Sequence, residues 1–169
     1  LIHRLEEVLT TDRGPTHLST QTFPKGGEDG WKDLNRVTVE DLLVWEYQTW
    51  GVFVTKTLAM KGNAVALRYQ LNNLNPHSAR LTVTPWMQFT PKGTDLKPEQ
   101  AFSFRDGKIT SAGITLHLAT NGSVETFPTA HQALFYACDR PDGRRDTGLA
   151  AANHRISVSV PGSGSAVLE

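Results

Sequence analysis

Apolar and polar residues alternate with a period of two along most of the chain. Within residues 42–50, Leu43, Trp45 and Tyr47 fall on one face and Glu46 falls on the other. A period of two is typical of β-strands that bury one face, because successive side chains of a strand point to opposite sides. The same alternation recurs in residues 52–60, 63–71, 79–89 and 154–160. The pattern therefore predicts a protein built mainly from strands.

Turn signals separate these segments. Asp106-Gly107 and Asn121-Gly122 each stand between β-forming runs and predict two-residue hairpins, because type I′ turns need positive φ at both central positions. Lys61-Gly62-Asn63 predicts a further turn. Pro85 lies inside an alternating segment and predicts either an edge strand or a β-bulge, since proline has no N–H to donate to a neighbouring strand.

The stretch Gln48-Thr49-Trp50-Gly51 predicts the turn of a hairpin between two alternating segments. We expect a three-residue loop with a bulge, in which Gly51 has the positive φ, because a type I′ turn would strain Trp50. This turn leaves Trp45 and Tyr47 within the sheet and puts Trp50 at the tip.

Helix signals are confined to one segment. Residues 144–154 predict one short helix, with Asp146 or Thr147 as its N-cap and an alanine-rich body. About eight to ten short strands with little helix indicate an all-β fold, an antiparallel β-sandwich with at most one short helix. We expect residues 1–169 to form a single domain.

The charge balance excludes some classes of partner. Lys plus Arg number 17 and Asp plus Glu number 17, so the net charge is zero and no long-range field attracts a polyanion. We therefore expect no nucleic acid and no membrane as partner. The single cysteine, Cys138, cannot form an internal disulfide, and we expect a half-buried thiol rather than a nucleophile.

Residues with catalytic chemistry show no recognisable spacing. The histidines are scattered, so the sequence predicts no metal site and no cofactor. The glutamates mostly fall where a solvated sheet face or a loop is expected, and we predict no catalytic residue in this chain. Sandwich proteins that epimerise sugars use His and Glu, and His117 and His131 are the candidates for such a role. A lone histidine on a strand is, however, more often structural.

Aromatic residues offer a different kind of chemistry. Sugars present an apolar C–H face that stacks on aromatic rings, while polar neighbours bind the hydroxyl groups. Trp45, Tyr47 and Tyr69 are in phase with aliphatic residues, so we expect them in the core of the sandwich.

Three other tryptophans are candidates for contact with a glycan or with another domain. Trp50 is at the tip of a turn, Trp31 follows a glycine-rich loop, and Trp86 follows a proline at the expected bulge. For Trp31 and Trp86, exposure at a binding surface and packing in the core of the sandwich are both open.

Several segments, in order, resemble the N-terminal domain of bacterial and archaeal glycogen debranching enzymes. They are RLEEVL at 4–9, THLSTQTFPKG at 16–26, DGWKDL at 29–34 and VWEYQTWGVFVTKTLAMKGNAVALRYQL at 44–71. ARLTVTPWMQF and, more faintly, DGRRDTGLAAANH extend the resemblance to about residue 155. Order and spacing carry the resemblance, since no single motif is diagnostic. After Phe89 the sequence TPKGTDLKPEQ replaces an arginine–aspartate–histidine stretch of the family, so any substrate contact there is expected to differ.

The resemblance implies a fold and a division of roles. The family's N-terminal domain is a β-supersandwich of the galactose-mutarotase type, and a following (α/α)₆ toroid carries the amylo-α-1,6-glucosidase activity and its catalytic carboxylates. This chain would be a fragment of a longer cytoplasmic glycoside hydrolase. Its partners would be that catalytic domain and an α-glucan such as glycogen or maltodextrin.

We therefore expect a non-catalytic domain that supports glucan binding and packs on the glucosidase domain. Two alternatives stay open, a free-standing α-glucan-binding module and a mutarotase-like sandwich. A purely structural role without sugar contact is the third.

Overall fold

Strands make up nearly all the regular structure in the computed structural model, which describes residues 1–91, 94–136, 139, 141, 143, 144 and 146–169. A short 3-10 helix spans Gly30–Asp33. The strands are β1 (Ile2–Thr11), β2 (Gly14–His17), β3 (Thr20–Thr22), β4 (Gly27–Asp29), β5 (Leu34–Val39), β6 (Leu43–Thr49), β7 (Val52–Lys61), β8 (Ala64–Asn73), β9 (Ala79–Met87), β10 (Ser103–Arg105), β11 (Lys108–Ser111), β12 (Ile114–His117), β13 (Ser123–Phe135), β14 (Thr147–Val160) and β15 (Gly164–Leu168). The predicted all-β class is confirmed.

Two five-stranded sheets form the main layers. Sheet 1 has the strand order β13-β14-β9-β1-β2, and sheet 2 has the order β15-β8-β7-β6-β5. A three-stranded sheet, β10-β11-β12, and the β3–β4 hairpin complete the fold. The pairings between these strands are antiparallel. The predicted antiparallel sandwich is therefore confirmed.

The main hydrophobic core lies between sheets 1 and 2. Leu9 and Leu81 of sheet 1 are fully buried in the same cluster as Val52 of sheet 2. Tyr47 and Tyr69 belong to this cluster, so the prediction that they lie in the core is confirmed.

Trp45 packs against the same core from a partly buried position, as its alternation predicts.

Sheet 1 is covered on both faces near one end. Met87 and Ile109 share a second cluster, which the three-stranded sheet closes. Trp86 follows the strand period and points to the opposite face, where it packs with Leu134 and Ala152. Adjacent residues of one strand therefore enter different clusters.

Pro85 occupies a central strand at a break in the neighbouring ladder. On one side of β9, Pro85 is opposite Leu5 of β1. On the other side, the register of β14 shifts between Ala151 and Ile156, opposite the part of β9 that contains Pro85. A bulge there removes the need for an N–H from proline. The bulge predicted as one alternative is present, and the edge-strand alternative is wrong.

Two of the predicted turns are confirmed. Asp106 and Gly107 have φ values of 51° and 69° and join β10 to β11 as a two-residue hairpin. Gly62, with φ of 59°, lies in the turn between β7 and β8. Each turn closes strands that pair directly with each other.

The turn at Trp50 differs from the prediction. Thr49 pairs with Val52, and Trp50 and Gly51 have φ values of 47° and 74°. The loop therefore has two residues with the positive φ angles of a type I′ turn, and the predicted three-residue loop is wrong. Unbroken pairing of β6 with β7 up to Thr49 leaves only two residues for the turn.

The hairpin predicted at Asn121-Gly122 is wrong. The preceding strand, β12, pairs with β11, while the following strand, β13, pairs with β14. The chain crosses here from the small sheet to sheet 1. The Asn121 side chain accepts a hydrogen bond of 2.8 Å from the Glu169 N–H and donates one of 3.1 Å to the Val167 carbonyl. Asn121 thus fixes the end of β15 instead of forming a turn.

The helix predicted over residues 144–154 is also wrong. From Thr147 onward this segment is β14, which pairs with β13 on one side and with β9 on the other. Ala150, Ala151 and Ala152 are fully buried because small side chains fit between layers on both faces of the sheet. Pairing with β13, together with the contact of β9 at Ala151 and burial on both faces, outweighs the helical preference of alanine. Cys138 lies outside the described residues.

Candidate functional site

Trp50 presents its ring to solvent at the tip of the β6–β7 hairpin. Half of the residue is exposed, and its Nε1–H donates a hydrogen bond of 3.2 Å to the Thr16 hydroxyl of β2. The Arg13 guanidinium lies 5.0 Å from the centre of the indole ring. A cation that lies over the face of an aromatic ring is attracted to that ring. Arg13 and Thr16 together therefore hold the Trp50 ring in one orientation.

The backbone of Trp50 is strained. A positive φ is uncommon for a residue with a bulky side chain, and holding a residue in such a region costs on the order of 1–3 kcal/mol. Neighbouring groups maintain the conformation. The Asn75 amide donates a hydrogen bond to the Trp50 carbonyl, and the Leu74 N–H donates one of 3.0 Å to the Gly51 carbonyl.

Trp31 is the second exposed ring. It lies in the 3-10 helix and is 61% exposed. Its backbone N–H donates a hydrogen bond of 3.1 Å to the Thr20 hydroxyl. Gly30, just before it, approaches the chain so closely that a Cβ there would lie 2.2 Å from the Leu18 carbonyl oxygen. Glycine at this position allows the close approach that sets Trp31 beside the segment following β2.

Both exposed tryptophans are thus attached to one short segment of chain. Trp50 is bonded to Thr16 and Trp31 to Thr20, and four residues of extended chain span at most ~14 Å. We call this surface, formed by Arg13, Thr16, Thr20, Trp31 and Trp50, the tryptophan edge. The sequence identified both rings as candidates, but Thr16, which binds the Trp50 ring, and Thr20, which binds the Trp31 backbone, carried no signal.

Trp86 differs from the other two candidates. It is only 8% exposed, and its ring lies in the cluster with Leu134 and Ala152. Its Nε1–H donates a hydrogen bond of 3.1 Å to a Glu6 carboxylate oxygen. The ring is therefore covered by protein, whereas the rings of Trp31 and Trp50 are exposed.

A buried ion pair attaches the β3–β4 hairpin to sheet 1. The Arg4 guanidinium donates hydrogen bonds of 2.7 and 2.8 Å to the two carboxylate oxygens of Glu28, and the Ser19 hydroxyl donates a third, of 2.7 Å. Arg4 also lies 5.4 Å from the centre of the Phe23 ring. Sequence analysis missed this cluster, because its members are distant in the chain and Glu28 was expected to be solvated.

The same cluster contains three groups of the kind that bind metals. One ligand atom from each of Glu6, His17 and Glu28 lies within 4.8 Å of the others. Glu28, however, already accepts three hydrogen bonds, two of them from the cationic Arg4. A guanidinium in contact with a ligand opposes the binding of a second cation. The cluster is therefore an ion-pair network that orders the hairpin.

A second buried acid lies in the core of the sandwich. Glu7 is 2% exposed; its Oε1 accepts a hydrogen bond of 2.5 Å from the Tyr69 hydroxyl and lies 2.6 Å from the Lys56 ammonium. Burial, with a contribution from the Glu7 carboxylate, raises the pKa of Tyr69 well above its usual value. The same two causes raise the pKa of Tyr47 to about 12. The network joins the two sheets and engages both Glu7 and Lys56.

A shallow cleft lies at the end of sheet 1 that is remote from the Trp50 hairpin. Phe23, Pro24, Phe135, Asp146 and Thr147 line a volume of about 290 Å³. It is open to solvent and lacks the enclosure of a catalytic pocket.

The chain matches the family model described as glycogen debranching enzyme N terminal over residues 1–167. It belongs to this family. No curated protein and no solved structure matches it. Membership of the debranching-enzyme family implies that a catalytic domain is a partner in the same chain. Among the described residues, no helix is long and apolar enough to span a membrane.

The two candidate histidines of this debranching-enzyme domain lie in different sheets. His117 lies in β12 of the small sheet, and His131 lies in β13 of sheet 1. Both are exposed. His154 is fully buried and stacks on Phe104 with ring centres 4.6 Å apart. Burial lowers its pKa to about 4, so the ring is neutral at pH 7.

Proposed function

We propose that this chain is a non-catalytic domain that supports α-glucan binding in a debranching enzyme and packs on the α-1,6-glucosidase domain. The tryptophan edge carries the proposal. Two exposed indole rings are held beside one segment, and one of them, Trp50, is held in a strained backbone conformation. Strain of this kind persists where the surrounding structure maintains it, and it is concentrated at functional sites.

The chemistry of the edge suits a neutral polysaccharide. Indole rings stack on the apolar face of a sugar ring, and hydroxyl and guanidinium groups bind its hydroxyls. Thr16, Thr20 and Arg13 supply such groups beside the rings. A zero net charge gives no preference for a charged polymer. Two exposed rings beside one short segment offer two stacking positions for a glucan.

The carboxylates support a non-catalytic role. A glycosidase needs one carboxyl group free to donate a proton and a second free to act as base or nucleophile. Both buried glutamates are engaged, Glu7 with Lys56 and Glu28 with Arg4. Catalysis is therefore assigned to the other domain of the enzyme.

Glucan binding is tested with the complete enzyme by affinity electrophoresis in gels that contain glycogen. We expect Trp50→Ala and Trp31→Ala each to weaken retention by about tenfold or less, in line with roughly 0.5–1.5 kcal/mol for an aromatic contact. Phe53→Ala is the matched control, because Phe53 is exposed on the outer face of sheet 2. Retention that is unchanged in both tryptophan variants would contradict the proposal.

The non-catalytic role is tested with a limit dextrin. We expect the complete enzyme to release glucose and the 169-residue chain to release none. Debranching by the chain alone would show that it contains catalytic groups. The mutarotase alternative is tested by measuring sugar mutarotation with a polarimeter. The cytoplasmic location implied by the resemblance stays a prediction.

A further inference from the structure

One face of sheet 2 continues the core beyond the part that sheet 1 covers. Antiparallel pairing sets Trp45 opposite Lys56, and Lys56 opposite Tyr69, in a row that still contacts the core. Residues directly opposite each other share a face of the sheet, and so do residues two apart along a strand. The next rows along the strands therefore present their side chains on the same, inner side.

Those next rows are entirely apolar. The first consists of Val39, Leu43, Leu58 and Leu67, and the second consists of Met60 and Val65. Leu43, Leu58 and Leu67 are half-buried, and Leu67 still packs against the main core. Val39, Met60 and Val65, which lie farther out, are 76%, 71% and 56% exposed. Val37, at the edge beside Trp45, is also exposed. We call these seven residues the open face of sheet 2.

We expect an exposed apolar face of this kind to be buried against another domain or molecule. Scattered exposed apolar residues are ordinary, but a contiguous patch of a few hundred Å² marks an interaction site. The open face is contiguous across four strands, β5 to β8. The charged Lys56, in the row of Val37, is paired with Glu7 and only 14% exposed. Its shape and chemistry are those of a sandwich core from which the opposing layer is absent.

We propose that the catalytic domain of the same chain covers the open face of sheet 2. This inference rests on the proposed function and specifies the surface through which packing occurs. Family membership implies that such a domain is joined to this one. A tethered partner has an effective concentration in the millimolar range, so it outcompetes a second copy of the chain at ordinary concentrations.

The position of the open face is compatible with glucan binding at the tryptophan edge. Trp50 precedes β7 and Met60 lies near its far end, so the two are roughly 30 Å apart along the strand. A domain seated on Met60 and Val65 therefore leaves Trp50 accessible. Both parts of the proposed function can operate in one molecule.

Methionine oxidation tests the inference directly in the complete enzyme. This part of the chain has two methionines, and Met87 is fully buried whereas Met60 is exposed on the open face. The enzyme is treated with dilute hydrogen peroxide, natively and in guanidinium chloride, and sulfoxide is measured at each site by mass spectrometry. We expect Met60 in the native enzyme to oxidise at least tenfold more slowly than in the unfolded chain, as Met87 does. Native oxidation of Met60 at the unfolded rate would overturn the inference.

Two further conditions identify the cover. Protection of Met60 that disappears on dilution assigns the face to a second copy of the chain, and protection that requires added glycogen assigns it to the glucan. Either result overturns the proposal. Protection that is independent of both supports it.

A variant separates this inference from the proposed function. Met60→Lys in the complete enzyme should increase protease cleavage between the two domains, whereas Met60→Leu should not. If glycogen retains the enzyme but Met60 oxidises at the unfolded rate, this inference is wrong and the proposed glucan binding is unaffected. If Trp50→Ala loses retention while Met60 is still protected, the result agrees with the proposed function and with this inference.

Discussion

The Tyr69 hydroxyl donates a hydrogen bond of 2.5 Å to Oε1 of Glu7 across the core between the two large sheets. The same oxygen lies 2.6 Å from the Lys56 ammonium, whose side chain is only 14% exposed. A charged pair in a core is costly to bury, but it is costlier to leave one partner alone. The stability of the sandwich should therefore depend on the pair as a unit.

Glu7→Gln should destabilise the domain by about 3 kcal/mol, because it leaves a buried ammonium without a counter-charge. Adding Lys56→Met should recover part of that loss, since the double variant contains no unpaired charge. Urea unfolding of the single and double variants measures both effects. Glu125→Gln is the control, because the Glu125–Arg155 pair bridges two strands at the surface, and it should produce no measurable change. Additive effects of the Glu7 and Lys56 substitutions would contradict this prediction.

Trp50→Asn should leave the melting temperature unchanged or raise it slightly, because asparagine tolerates positive φ and Asn-Gly is the preferred pair in a type I′ turn. Trp50→Ala should change it little. Trp45→Ala should lower it by several degrees, because this ring packs against the main core. Thermal unfolding followed by circular dichroism measures all three. Similar losses at positions 45 and 50 would show that the Trp50 ring contributes to packing rather than to binding.

The free energy of unfolding should fall between pH 7 and pH 4 because of the protonation of His154. Its pKa is lowered to about 4 in the folded protein, whereas an unfolded histidine has a pKa of about 6.5. The fold therefore favours the neutral ring, and its stabilising effect is complete above pH 6.5 and is lost as the pH falls towards 4. The slope should not exceed about 1.4 kcal/mol per pH unit.

The His154→Phe variant isolates this effect from that of other groups. It keeps a ring that can stack on Phe104 but has no proton to bind. The difference in unfolding free energy between the two proteins should change with pH over this window and be constant above it. A constant difference throughout would mean that His154 is accessible to protonation in the folded state.

Asn121→Ala should loosen the end of β15. The variant loses the hydrogen bonds to the Glu169 N–H and the Val167 carbonyl, for a loss of about 1 kcal/mol. Hydrogen exchange of residues 164–169 should accelerate while exchange in β6 and β7, which do not pair with β15, is unchanged. Ser123→Ala is the control, since Ser123 is exposed two residues away. Uniform acceleration across both sheets would instead indicate a global loss of stability.

Period-two alternation predicted the strands of sheet 2 well, because much of one face of that sheet is buried and the other face is exposed to solvent. The turn signals were less dependable. Asp106-Gly107 closes a hairpin, whereas Asn121-Gly122 lies where the chain crosses between sheets. A dipeptide indicates that the chain can turn, but the choice of strand partner is decided by long-range packing.

The helix predicted over residues 147–154 was wrong for a related reason. Local propensity favours a helix there, but β13 pairs with most of the segment and β9 pairs with it at Ala151. The buried acids were equally hidden from sequence analysis. Glu7 and Glu28 were expected at a solvated surface, and the partners that make their burial possible, Lys56 and Arg4, are distant in the chain.

The open face of sheet 2 has a consequence for how the enzyme is made. An N-terminal domain leaves the ribosome before the domain that follows it. Until the catalytic domain has been synthesised and folded, Met60, Val65 and Val39 face the solvent on a half-finished chain. In our proposal, the nascent enzyme therefore passes through an interval in which chaperones or other nascent chains compete for the surface that the catalytic domain later covers.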